Sequence, residues 1–229
     1  MYFLIQFSFV VNGFGAMADV EKNRILISSL KQSGYLQSKH VEDAFSRIFR
    51  EDFMPSHLKG LAYVDRPFEI GNGQTISAPH MVAIMVEALD IHIGQKILEI
   101  GSGSGYHAAI VSMLVGEHSK VYSVERIHDL AELARRNIHK VGISNTTIVD
   151  GDGSLGLPEH APYDRIYVTC ASPSIIQPLL DQLVDGGKLL IPVGRLYCEL
   201  ILVEKNGDLV KKTELGGCAF VPLLGKHGF

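Results

Sequence analysis

Residues 97–110 read ILEIGSGSGYHAAI, a short apolar strand followed by a glycine-rich turn and the start of a helix. The glycines at 101, 103 and 105 would let the backbone approach a ligand closely at the carboxyl end of the strand. Open α/β sheets bind their ligands at that end. A glycine turn alone is weak evidence, because a bare strand-to-helix turn or a dinucleotide site would also explain it.

Short apolar runs rich in β-branched residues flank this unit and alternate with helical patterns. The runs are KILEI (96–100), KVYSVE (120–125), TTIVDG (146–151), YDRIYVT (163–169) and KLLIPV (188–193). Helical spacing occupies 105–115, 128–141 and 173–184. This alternation predicts a three-layer α/β fold with a mostly parallel sheet. Asn206-Gly207 lies between two further strand-like runs, which predicts a hairpin and an antiparallel strand near the C-terminus.

The N-terminal part has a different character. Residues 19–33 and 38–49 have helical spacing, and 56–76 is mixed and loop-rich. Ser77 stands where a helix N-cap is expected, with Pro79 in the first turn of a helix over 78–89. These patterns predict an N-terminal helical cap on the α/β core.

We expect one domain over residues 17–229. Its parts would be a helical and lip region (17–93), a cofactor-binding α/β core (94–195) and C-terminal strands with a substrate segment (196–229). A length of 229 residues is enough for a substantial core.

Residues 1–16, MYFLIQFSFVVNGFGA, are apolar and precede a stretch typical of the start of a soluble protein. No Lys or Arg precedes the apolar run, unlike in a secretory signal, and polar residues and glycines interrupt it before the roughly 20 apolar residues that a membrane span needs. We therefore interpret 1–16 as an extension that is non-native or dispensable, with Met17 as the functional start. Deleting it is expected to leave folding and activity intact.

The composition indicates a cytoplasmic protein that binds neither membranes nor nucleic acid. The net charge of −4 gives no electrostatic reason to bind phosphates. The three cysteines are far apart and lack CxxC spacing, as expected of reduced intracellular thiols. The ten histidines show no HExxH pattern, so we expect no metal. We also expect a monomer.

Two acidic residues at the ends of later strands indicate which ligand the site binds. Glu125 ends the second strand, 24 residues after Gly101, where a carboxylate can accept both hydrogen bonds from a ribose diol. Asp152, in the GDG of residues 151–153, could accept a hydrogen bond from the amine of adenine. The glycine spacing is GxGxG, whereas a dinucleotide fingerprint would be GxGxxG. Together these features predict an adenosine site without a pyrophosphate cradle, which fits S-adenosyl-L-methionine better than NAD.

The motifs ILEIGSGSGY, VYSVER, GDG, PYDRIYVTCA and LLDQLVDGGKLLIPVG, in that order, resemble those of class I methyltransferases. The resemblance implies a Rossmann-like methyltransferase sheet. Two further segments, IGNGQTISAPHM (70–81) and FVPLLG (220–225), resemble signatures of the protein-L-isoaspartate O-methyltransferase family. The family resemblance covers the chain from about Glu21 to its end.

That resemblance implies methyl transfer from S-adenosyl-L-methionine to the α-carboxylate of L-isoaspartyl residues in damaged proteins or peptides, leaving S-adenosyl-L-homocysteine. The methyl ester then cyclises to a succinimide, whose hydrolysis returns some normal aspartate. Because a carboxylate with a pKa near ~4 is already ionised, the reaction needs no general base.

The resemblance also implies residue roles. Ser77 would be the catalytic residue that orients the carboxylate, and His80, Val221 and Pro222 would lie near the substrate. The cofactor-binding residues would be Thr75, Ile76, Ser77, Gly101, Ser102, Gly103, Glu125, Gly151, Asp152 and Gly153. For His80, a role as an ordinary polar residue in the first turn of a helix is the main alternative.

Two other functions share parts of this pattern. A class I methyltransferase acting on RNA or a small molecule would have the glycine loop but would not explain GQTISAPHM or FVPLLG. A non-enzymatic nucleotide-binding module would need only the sheet and the glycine loop.

Overall fold

The computed structural model describes residues 15–195 and 197–229. Within these ranges, seven strands form the central sheet. A separate hairpin contains β1 (Phe68–Gly71) and β2 (Gln74–Ile76). The strands of the sheet are β3 (Ile97–Ile100), β4 (Val121–Glu125), β5 (Thr146–Asp150), β6 (Tyr163–Val168), β7 (Leu183–Gly194), β8 (Cys198–Asn206) and β9 (Leu209–Cys218). Their order across the sheet is β5-β4-β3-β6-β7-β8-β9.

The sheet is parallel from β5 through β7, and β8 is the reversed strand. β9 is antiparallel to β8, joined to it by the predicted turn at Asn206-Gly207. The carboxyl ends of β3, β4, β5 and β6 therefore meet at one edge. The predicted α/β fold with a mostly parallel sheet is confirmed.

Six α-helices complete the layers within the same ranges: α1 (Gly15–Gln32), α2 (Lys39–Arg47), α3 (Pro79–Leu89), α4 (Tyr106–Val115), α5 (His128–Lys140) and α6 (Gln177–Asp181). Side chains alternate across β3 because successive residues of a strand point to opposite faces. Ile97 joins the apolar core formed with α1 to α4, whereas Leu98 packs on the other face with α6. The predicted N-terminal helical cap thus shares a core with the sheet.

Two local predictions need correction. The helix expected over 173–184 spans only Gln177–Asp181, because Pro178 has no N–H and fits the first turn of a helix but not its interior. The loop-rich stretch 56–76 contains the β1–β2 hairpin. Its turn uses Asn72 and Gly73 at positive φ, the backbone conformation that an Asn-Gly pair favours.

The proposed extension 1–16 falls almost entirely outside the described residues, which start with α1 at Gly15. Across the described part of the chain, every helix is too short or too polar to cross a membrane. Within that part, no three His, Cys, Asp or Glu side chains lie close enough together to hold a metal ion.

Candidate active site

The glycine loop joins β3 to α4 at the edge where the parallel strands end. Gly101 has a φ of +95°, a conformation that side chains rarely adopt. A Cβ atom at Gly101 would also lie 2.4 Å from Thr169 Oγ1, which donates a hydrogen bond to the Gly101 carbonyl. Only glycine therefore fits where the loop passes the end of β6.

Glu125, at the end of β4, is held in place by two backbone amides. Its Oε2 accepts from Gly103 N and its Oε1 accepts from Ile127 N, both at 3.0 Å. The residue is 7% exposed and lines the cleft. Because each carboxylate oxygen can accept more than one hydrogen bond, Glu125 can still accept from a ligand while its orientation is fixed.

A second acid, Glu99, lies in the floor of the cleft. Its Oε2 accepts from Ser123 Oγ, and Ser123 Oγ in turn contacts Ser102 Oγ at 2.6 Å. Burial raises the pKa of Glu99 to about 8, although the Ser123 hydrogen bond acts the other way. Ser102 is one of the residues predicted to bind cofactor, and its hydroxyl is directed toward Ser123.

His107 also lines the cleft and is 6% exposed. Its ring centroid lies 4.4 Å from that of Tyr167. Among the described residues, neither ring nitrogen of His107 has a hydrogen-bond partner, and neither does Glu99 Oε1. Burial lowers the pKa of His107 to about 3, so the ring is neutral at physiological pH. These buried polar atoms have capacity for a ligand or bound water.

The opposite side of the cleft is a lip formed by Thr75, Ile76 and Ser77. The prediction that Ser77 caps α3 is wrong: the N-cap is Ala78, with no capping side chain of its own. Asp65 supplies the cap from a distant loop, since its Oδ1 accepts from His80 N at 2.9 Å.

His80 is bound to the same carboxylate. Its Nδ1 lies 2.9 Å from Asp65 Oδ1, and His80 is not among the residues that line the cleft. The structure therefore places His80 in the first turn of α3, bound to Asp65 and outside the lining of the cleft.

The C-terminal segment, residues 220–225, closes the third side. Ala171 N donates to Val221 O and Leu223 N donates to Ala171 O, both at 2.7 Å, just beyond the end of β6. Val221 and Pro222, which the motif predicts to lie near the substrate, line the cleft.

Asp152 ties this segment to the loop after β5. Its Oδ2 accepts from Lys226 N at 2.8 Å, and its Oδ1 accepts from Ser154 N and Oγ. Ser154 Oγ also accepts from His227 N at 3.0 Å. Neither Gly151 nor Asp152 lines the cleft, whereas Gly153 does. Both oxygens of the carboxylate predicted to meet adenine are thus already bonded within the protein.

Asp152→Ala is expected to loosen the C-terminal segment. A hydrogen bond to a charged group is worth about 1.5–3 kcal/mol, so amides of residues 221–227 should exchange roughly tenfold or more faster in hydrogen–deuterium exchange. Asp150→Ala is the matched control, because Asp150 pairs with Arg135 and His128 instead. Equal exchange in the Asp152 variant and the wild type would contradict this tether.

The three sides enclose a cleft of about 870 Å³, including the space at its open mouth. It brings together most of the predicted residues: Thr75, Ile76, Ser77, Gly101, Ser102, Gly103, Glu125, Gly153, Val221 and Pro222. The prediction did not include Tyr106, His107 and Thr169, which also line the cleft. Tyr106 and His107 directly follow the glycine loop, so the sequence could have indicated them. Thr169 is brought to the cleft by the pairing of β6 with β3, which no local pattern reveals.

The lining suits S-adenosyl-L-methionine. The glycine loop leaves room for close approach of a ligand to the backbone. The Glu99 carboxyl, whose Oε1 has no partner among the described residues, can form a hydrogen bond with a polar group of the ligand, and Glu125 offers acceptors to a ribose. Ile76, Val82 and Ile127 supply apolar surface.

This sheet, with its glycine loop and the acids at its strand ends, defines a class I methyltransferase. The family follows from comparison with known proteins. The chain belongs to the protein-L-isoaspartate(D-aspartate) O-methyltransferase (PCMT) family, whose model matches residues 21–228.

Named relatives support the same assignment. The chain is 48% identical over 213 residues to the protein-L-isoaspartate O-methyltransferase of Methanothermobacter thermautotrophicus, covering 92% of this chain and 98% of the relative. It is 54% identical over 183 residues to that of Methanocella arvoryzae, covering 80% and 97%.

Solved structures agree. One protein-L-isoaspartate O-methyltransferase superposes with a TM-score of 0.83 at 32% identity, covering 90% of this chain and 67% of the other. A Plasmodium falciparum structure described as a PCMT in complex with S-adenosyl-L-homocysteine has a TM-score of 0.80 at 26% identity, covering 88% and 98%.

Proposed function

We propose that the cleft transfers a methyl group from S-adenosyl-L-methionine to the α-carboxylate of L-isoaspartyl residues in damaged proteins and peptides. S-adenosyl-L-homocysteine is released, and the backbone nitrogen of the substrate then attacks the methyl ester, expelling methanol and closing the succinimide that starts repair. The observation that carries the proposal is the meeting of the Ser77 lip, the Val221-Pro222 segment and the Glu125 glycine-loop site in one cleft of a PCMT family member.

The cofactor, when bound, supplies a methyl group on a positively charged sulfur. Gly101 and Gly103 would hold its methionine part near Glu99, and Glu125 would accept from its ribose. Gly153 would lie toward the adenine, and Asp152 stabilises its loop by bonding to Ser154 and Lys226. Thr75 and Ile76 would line the space beside the methyl group.

The protein's task is to position an ionised substrate. A carboxylate with a pKa near ~4 attacks without a base, and alignment alone can contribute on the order of 7 kcal/mol. We propose that Ser77 donates its hydroxyl hydrogen to that carboxylate. His80 is bound to Asp65. Because the substrate carboxylate is already ionised, His80 has no substrate proton to abstract.

The isoaspartyl peptide would lie along the C-terminal segment. Val221 O and Leu223 N already bond to Ala171. In an extended chain the intervening Pro222 carbonyl faces the opposite edge, where it can accept from a peptide N–H as in β-augmentation.

We further infer that residues 17–93, 94–195 and 196–229 work as one domain, as a monomer in the cytoplasm, with no nucleic-acid partner. The core shared by α1 to α4 and the sheet, the net charge of −4 and the free thiols support this. Light scattering on the purified protein would measure its mass.

The reaction is tested with methyl-labelled cofactor and two peptides that differ only in an isoaspartyl or an aspartyl linkage, with RNA as a third acceptor. We expect base-labile label on the isoaspartyl peptide alone. Stable label on RNA would contradict the proposal in favour of an RNA methyltransferase, and no label on any acceptor would favour a binding module.

A further inference from the structure

Arg50 is a fully buried arginine that bonds to backbone carbonyls of the loop before β1 and to one carbonyl of the lip. It lies in a short 3₁₀-helix, Arg50–Phe53, and is 0% exposed. Its Nη1 donates to Ala62 O at 2.8 Å, and its Nη2 donates to Arg66 O and Ser77 O, both at 3.0 Å. One guanidinium therefore joins the loop that precedes β1 to the backbone of Ser77.

This cation has no carboxylate partner within salt-bridge distance among the described residues. Burial lowers the pKa of Arg50 to about 10, so it stays charged at neutral pH. Burying a charge is costly unless polar groups compensate it, and here backbone carbonyls do so. The arrangement concentrates a buried positive charge directly behind Ser77.

The N-terminus of α3 is less available to an anion than its position suggests. A helix N-terminus attracts anions through its free N–H groups and dipole. Here the carboxylate of Asp65 already accepts a hydrogen bond from His80 N, so this N–H group is not free to bind another anion. Arg50 is therefore the charged group that contacts Ser77 from within the protein.

We propose that Arg50 is a positioning residue for methyl transfer. Its planar fork fixes the Ser77 carbonyl together with the loop over 62–66, which sets the direction of the Ser77 hydroxyl toward the substrate carboxylate. Its charge also favours the negative substrate on the far side of the lip. The inference rests on the proposed function, in which Ser77 orients that carboxylate.

Arg50→Lys separates charge from geometry, since lysine keeps the charge but loses the planar fork that reaches several carbonyls. At saturating cofactor we expect kcat for an isoaspartyl peptide to fall at least tenfold. The dissociation constant for S-adenosyl-L-methionine should stay within twofold, because Arg50 does not line the cleft.

Arg165→Lys is the matched control. Arg165 is 8% exposed and donates to the carbonyls of Leu89 and Asp164, away from the cleft. We expect a comparable loss of Tm with kcat and KM within twofold of the wild type. A kcat loss in the Arg165 variant equal to that in the Arg50 variant would overturn the positioning role.

A double-mutant cycle with Ser77→Ala distinguishes a positioning role of Arg50 from a purely structural one. The tenfold effect of Arg50→Lys should shrink to less than twofold in the Ser77→Ala background; an unchanged tenfold effect there would overturn the proposal. So would a wild-type kcat in the single Arg50 variant.

If Arg50→Lys does not fold, the cycle is run with Phe68→Leu. This change removes the ring whose centroid lies 5.6 Å from the guanidinium carbon. We expect a threefold or larger loss of kcat that disappears in the Ser77→Ala background, and no such loss would overturn the proposal. Failure of the proposed function is distinguishable, because the wild-type protein would then not methylate the isoaspartyl peptide.

Discussion

Glu125→Ala is expected to lower the affinity for S-adenosyl-L-methionine about a hundredfold or more while the chain stays folded. The change removes the acceptors for the ribose and the group that holds Gly103 N and Ile127 N at the cleft. Hydrogen bonds to a charged group are worth about 1.5–3 kcal/mol each, and a hundredfold corresponds to about 2.8 kcal/mol. Isothermal titration calorimetry measures the affinity.

The control for that experiment is Glu132→Ala. Glu132 lies on α5 and pairs with Arg135, outside the cleft. Its variant should bind cofactor as the wild type does. Unchanged affinity in the Glu125 variant would remove Glu125 from the cofactor site.

Ser77→Ala is expected to slow methyl transfer about ten- to a hundredfold with little change in cofactor affinity. The hydroxyl is proposed to bond to the ionised substrate, and losing a bond to a charged group costs about 1.5–3 kcal/mol. Steady-state rates on an isoaspartyl peptide measure the effect. Ser46→Ala is the control, since Ser46 is exposed and its hydroxyl donates to Asp43 O, away from the cleft. A variant that binds cofactor normally and keeps the full rate would disprove the serine's role.

The architecture followed from local sequence patterns. Alternating strand and helix patterns around residues 97–110 predicted the parallel sheet, because the period of apolar residues reflects burial directly. Asn206-Gly207 predicted the C-terminal hairpin by its turn chemistry. The same dipeptide at Asn72-Gly73 marks the turn of the β1–β2 hairpin. The strands on either side are too short to show a clear alternation of apolar residues, so the sequence predicted a loop there.

The contacts that complete the site could not be predicted because they join distant segments. Ser77 matches the local pattern of an N-cap, yet the cap is supplied by Asp65, which accepts from the amide of His80, 15 residues later. Asp152 stands where an adenine contact is expected, yet it bonds to Lys226, 74 residues later. No local pattern reveals that Arg50 reaches Ser77.

These contacts suggest how the fold serves a reaction that needs positioning rather than activation. Hydrogen bonds from within the protein fix each side of the cleft. Arg50 bonds to the lip, Asp152 bonds to the C-terminal segment, and backbone amides bond to Glu125. We infer that the rate depends on the rigidity of these supports, since a small misplacement of aligned reactants is costly.

The most direct test follows an isoaspartyl peptide and its aspartyl isomer by chromatography during incubation with the protein and S-adenosyl-L-methionine. We predict that the isoaspartyl peptide is consumed and the aspartyl peptide accumulates, only when both protein and cofactor are present. Consumption of the aspartyl peptide at an equal rate, or an isoaspartyl peptide that persists unchanged with active cofactor, would contradict the proposed function.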